Sequence, residues 1–167
     1  MEAADGVRNA LRIANPKFPI LQVVELMLPK VMPECSFEVK EADEMGDNHG
    51  LTHPESNEMW IRSDVYEGAL QGNGRDRFTI AHELGHLLLH SQPGMPRKMK
   101  PASSMKPYVN SEWQANSFAG ALLIPTTFAV ASRNPYEISE VCGVSVDAAN
   151  VQLRVLNQMG LLNTGGK

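Results

Sequence analysis

The chain has 167 residues, 43% of them hydrophobic, enough for one domain with a core of its own and too few for two full ones. Its net charge of -4 argues against a general nucleic-acid binder, which would carry a basic excess. Two cysteines far apart in sequence, Cys35 and Cys142, read as reduced thiols rather than a disulfide framework.

The first twenty residues place acids before the first base and contain no apolar run of signal-peptide type, so neither an export signal nor a membrane span is expected, and a cytoplasmic location is. Apolar groups at helical spacing predict short helices over 5–14 and 19–30, punctuated by prolines at 16, 19, 29 and 33. From Ser36 the pattern turns to alternation. "FEVKEA", "LTH" and "EMWIRSDV" predict three short antiparallel strands, with the turn-rich "DEMGDNHG" between the first two. Such a sheet offers an edge to an extended peptide, and the edge near Trp60 is the expected place, although a tryptophan here is as readily core. "QGNGRDR" reads as a loop, and the proline-free series from Phe78 to Leu89 as a helix.

Residues 91–110 hold four prolines, four basic residues and no acid. They read as a loop, either a solvated connector or a basic lip over a site formed by Arg97, Lys98, Lys100 and Lys106. A second long helix follows, opened by a capping box of Ser111 with Gln114 and stopped at Pro125. The end of the chain reads as helix, turn at Gly143, N-cap at Ser145, helix to Met159 and stop at Gly160. The expected organisation is an α+β domain over 1–132, a small antiparallel sheet packed on helices, with a helical extension over 133–167 packed on it.

The first long helix contains "AHELGHLLLH", residues 81–90, with three of the five histidines. Residues four apart on a helix are separated by about 6 Å along the axis and about 40° around it, so the rings of His82 and His86 can converge on one ion. Glu83 lies about 100° around from His82, off the metal but beside any water there, where it can act as general base. The bland alternative is a chance match on a surface helix. Ala81, Leu84, Leu87, Leu88 and Leu89 weigh against it, since they make the helix a buried one whose histidines need partners. A catalytic zinc takes three protein ligands and keeps one open position. His90 is about 12 Å along an unbroken helix from His82, too far to be the third, and is expected at the helix end or in the wall of the site. Glu112 is the better candidate, because Ala115 and Ala119 let its helix pack close to the first. Asn116, one turn on, could accept a hydrogen bond from a ligand histidine.

Together, "RFTIAHELGHLLLH" and "EWQANSFAGALLIP" resemble the ImmA/IrrE-type zinc metallopeptidases over about residues 60 to 125. The resemblance implies a zincin-like fold and a gluzincin-like site with Zn2+ on His82, His86 and Glu112 and Glu83 as catalytic acid/base. It also implies cytoplasmic bacterial or phage proteins that cleave helix-turn-helix repressors and so relieve silencing of transcription. Where that pattern often has Asp, this chain has Asn116, and a neutral amide raises ligand basicity less than a carboxylate.

The expected reaction is therefore hydrolysis of a peptide bond in a protein substrate, with Glu83 moving the proton from water to the leaving amine. Tyr108, Tyr66 and Tyr136 are candidate second donors to the oxyanion, with nothing in the sequence to choose between them. The competing reading is a DNA-binding or protein-binding regulatory module with a structural or vestigial zinc site. Residues 137–159 have the length of a DNA-reading helix-turn-helix, but Glu137, Glu140 and Asp147 against Arg154 alone would attract phosphate poorly, so direct nucleic-acid binding is not expected.

Overall fold

The computed structural model describes residues 1–90 and 107–162, with side chains described from 110 onward in the second segment. The 91–106 segment, and with it the basic-lip reading of Arg97, Lys98, Lys100 and Lys106, lies outside the described residues.

The chain opens with α1 (Glu2–Ala10), followed by α2 (Ile20–Gln22), a π-helical turn (Val23–Met27) and α3 (Leu28–Val31). Pro29 lacks the N–H that would continue an α-helical ladder, and its ring crowds the preceding turn, which accounts for the wider turn before it. Then come β1 (Ser36–Lys40), α4 (Ala42–Met45), β2 (Gly50–His53) and β3 (Glu58–Arg62). The sheet order is β1-β3-β2, with β3 antiparallel to β2 and parallel to β1. The expectation of an all-antiparallel sheet is therefore corrected to a mixed one. In the turn-rich segment a reciprocal cap, with the Glu41 side chain on the Glu44 amide and the Glu44 side chain on the Glu41 amide, winds α4. That helix carries the chain over to the far side of β3 instead of folding it back as a hairpin. Trp60 consequently sits on the central strand and not at an edge. Its ring meets His53 edge-on and lies 5.1 Å from the Lys40 ammonium.

Strand β3 stops at Arg62, where the guanidinium forks onto Asp64 at 2.7 and 3.0 Å and α5 (Ser63–Leu70) begins. The first long helix, α6 (Gly74–His90), starts one turn before the apolar series. Asn73 is the reason: its side-chain oxygen accepts from the Arg75 and Asp76 amides at 2.9 and 3.4 Å. Likewise α7 (Pro107–Leu123) starts before Ser111, so the Ser111–Gln114 capping box does not open it. After α8 (Thr126–Ser132), α9 (Pro135–Cys142) ends at Gly143 with φ +64, and Ser145 caps α10 (Val146–Gln158) by accepting from the Ala148 amide. This is the helix, turn and helix expected from the sequence.

One continuous core holds the whole together. It runs from Ala4, Phe18 and Ile20 through Met59 and Ile61 on the inner face of the sheet, Ile80, Leu84 and Leu87 of α6, and Leu122 of α7, to Ile138, Cys142, Ala149 and Leu156 of the last helices. Two buried arginines tie its ends. The Arg8 guanidinium donates to the carbonyls of Leu122, Ile13, Asn15 and Pro16, and that of Arg77 to those of Gly143 and Phe18. Burial pushes both guanidinium pKa values down, but carbonyl acceptors keep the charge solvated. Among the described residues no single helix is long and apolar enough to cross a membrane, and the bent pair Asn110–Leu123 and Thr126–Ser132 turns by 68°.

At the start of α6, a Cβ on Gly74 would collide with the backbone carbonyl carbon of Val144 and lie 2.5 Å from the Ser145 nitrogen. Gly74→Ala must therefore push the turn between α9 and α10 away. We expect it to lower stability by about 2 kcal/mol, the scale of overpacking a tight site, read as a lower urea midpoint with an unchanged slope.

Candidate metal centre

Two helices and one strand build the site. On α6, His82 and His86 lie four residues apart on one face, half-buried, while Glu83 turns inward and is 7% exposed. Gly85 lies between these residues and faces α7. A Cβ there would come 3.2 Å from the Ala115 Cα and 3.0 Å from a Phe118 ring carbon, so the glycine and the small Ala115 together allow the two helices to touch backbone to side chain. This contact sets Glu112, one turn before Ala115, over the two imidazoles. Its carboxylate oxygens lie 3.3 Å from His82 Nε2 and 3.1 Å from His86 Nε2, and the two ring nitrogens are 3.0 Å apart.

The ligand atoms of His82, His86 and Glu112 all fall within 4.8 Å of one another, the group of that kind found among the described residues. Four ligands set tetrahedrally about zinc at its usual bond lengths are separated by roughly 3.3 Å, so separations of 3.0 to 3.3 Å are those of three neighbours around one ion. Two neutral imidazoles and a carboxylate make a donor set that fits a borderline divalent metal and leaves a position open. Burial and the neighbouring His82 push His86 toward its neutral, metal-binding form, against the attraction of Glu112.

Strand β2 closes the opposite side of Glu83. The Thr52 hydroxyl lies 2.7 Å from Glu83 Oε2 and 3.0 Å from the Glu83 main-chain carbonyl. Gly50, two residues earlier on the same face, allows the approach, for a Cβ there would sit 2.6 Å from Glu83 Cγ. Burial pushes the Glu83 carboxyl up, the Thr52 bond and His82 favour its charged form, and the charge of Glu112 adds to the upward push. The result is a carboxyl with a raised pKa, held within the field of the histidine and the acid at the metal site.

Of the remaining predicted residues, His90 stands beyond His86, with ring centroids 5.7 Å apart, and is not a member of the converging group. Asn116 is exposed and makes no hydrogen bond to either ring. It lies off the line Ala115, Phe118, Ala119 and Leu122 that packs inward. Tyr66 is corrected as an oxyanion donor, since its hydroxyl is committed to Glu25 and its ring packs against Phe37. Tyr136 stands 72% exposed in the first turn of α9. The side chain of Tyr108 lies outside the described residues. The sequence reading missed Gly50 and Thr52. Its only signal for them was a glycine at the head of a strand, a place where another chain often approaches closely.

A family model described as the IrrE N-terminal-like domain, Peptidase_M78, matches residues 34–154, a range that takes in β1 to β3, α6, α7 and most of α10. No curated protein matches the chain significantly.

Proposed function

Since the chain belongs to the IrrE N-terminal-like family of metallopeptidases, we propose that it is a zinc-dependent endopeptidase that cuts a helix-turn-helix transcriptional repressor in the cytoplasm. The observation that carries the reading is the convergence of His82, His86 and Glu112 beside the buried Glu83. These three side chains would hold the metal, which supplies Lewis acidity toward water and the scissile carbonyl.

Glu83 does the proton work. Its raised pKa brings it closer to neutrality, where a carboxylate can take a proton from the attacking water and return it to the departing amine. Glu83 is only 7% exposed, with α6 on one side and β2 on the other, which limits its contact with bulk water. Substrate backbone would lie along the outer edge of β2, the edge strand that bonds to the base and that pairs, among the described residues, with β3 alone.

The test is incubation of the zinc-loaded protein with a purified helix-turn-helix repressor encoded beside its gene, the products being read by mass spectrometry. We expect cleavage at one bond, stopped by a chelator and restored by zinc. An intact repressor under all metal conditions would rule out this substrate class. Although α9 and α10 are joined by a tight turn at Gly143, Glu137, Glu140 and Asp147 are all exposed and Arg154 is the exposed base of α10. Hence no salt-dependent gel shift of duplex DNA by this chain is expected.

A further inference from the structure

We propose that Thr52 is a positioning residue for Glu83, holding the carboxylate in place from the edge strand. The inference rests on the reading of Glu83 as the proton-transferring base. Thr52 lies on the inner face of β2, and its hydroxyl has two acceptors in reach, at 2.7 and 3.0 Å, both belonging to Glu83. A hydroxyl carries one proton, and a charged acceptor binds it more strongly than a neutral carbonyl. The carboxylate therefore takes the bond and the carbonyl supplies the weaker alternative. The stem of Glu83 is confined by the same strand, because a Cβ on Gly50 would sit 2.6 Å from its Cγ and 3.1 Å from its Cδ. A glutamate on a helix surface would sample several rotamers. This one has its stem against the bare backbone of Gly50 and its head on Thr52, two contacts from one strand. Placement of the base is thereby shared between α6 and β2, an edge strand of the sheet.

The variants that separate this role from a merely structural one are Thr52→Val, which keeps the shape and the strand preference, and Thr52→Ser, which keeps the hydroxyl. Placement is read by 13C NMR of protein labelled at glutamate carboxyls, the Glu83 signal being assigned by its loss in Glu83→Gln. Kinetics are read on an internally quenched peptide carrying the bond cut in the repressor. In Thr52→Val we expect the Glu83 signal to shift and kcat to fall about 10- to 100-fold, the range typical for loss of a supporting hydrogen bond, with KM within about twofold and zinc content unchanged. Thr52→Ser is expected to restore both the signal and the rate. A Glu83 signal in Thr52→Val identical to the parent's overturns the proposal, and does so whether or not the parent cleaves any substrate. A shifted Glu83 signal in Thr52→Val beside a parent that cuts nothing would instead count against the peptidase reading. A kcat in Thr52→Val equal to the parent's, or a Thr52→Ser variant as impaired as Thr52→Val, also overturns the positioning role.

Discussion

Glu83→Gln is expected to keep the fold and the zinc content of the protein while lowering cleavage by about a hundred- to ten-thousand-fold, the contribution of a well-placed general base. The substitution is nearly isosteric, which matters for a side chain only 7% exposed. The amide oxygen can still accept from Thr52, so the pocket between α6 and β2 is not left with a lone donor. What the amide cannot do is take up a proton at neutral pH. Removing the buried charge should also spare the fold some desolvation, since burial already pushes the Glu83 carboxyl up. Stability equal to or above the parent's is therefore expected in urea. Cleavage by a metal-verified Glu83→Gln preparation at the parental rate would sink the proposed mechanism.

The second large effect concerns the third donor. Glu112→Ala is expected to weaken zinc binding by more than tenfold, whereas His90→Ala should remain close to stoichiometric. Glu112 places an oxygen 3.3 Å from one ring nitrogen and 3.1 Å from the other, so its loss leaves two imidazoles alone on the metal. With the carboxylate gone, the site also loses the anionic donor that offsets part of the cation's charge. His90 lies outside the converging group, one further turn along α6. Zinc content after dialysis against a graded chelator, measured for both variants beside the parent, decides the matter. A full site in Glu112→Ala with an empty one in His90→Ala would mean that α6 must break after His86 when metal binds.

Several elements are legible in the sequence because their causes are local. The turn at Gly143, the Ser145 cap and the stop at Gly160 depend on left-handed backbone and on one side-chain bond within three residues. Boundaries slipped where a side chain just outside the apolar pattern took over, as at Asn73 ahead of α6 and in the Glu41–Glu44 cap of α4. The parallel pairing of β1 with β3 lay beyond reach for another reason. Alternation reports which face a strand buries and says nothing about the direction of its neighbour.

The site divides along the same line. That His82 and His86 point one way and Glu83 another follows from helix periodicity, which dictates it for any chain wound as α6 is. The sequence also marked Glu112 as a donor without being able to deliver it. Delivery required the close passage of α7 across Gly85, and only the tertiary packing of Ala115 and Phe118 supplies that. The same packing decided which polar groups were free to serve. It turned Asn116 outward, bound the Tyr66 hydroxyl to Glu25, and brought Thr52, some thirty positions away in the chain, to within 2.7 Å of the Glu83 carboxylate. Such contacts depend on how closely two backbones can approach, and that is a property of pairs of elements which periodicity in one of them does not encode.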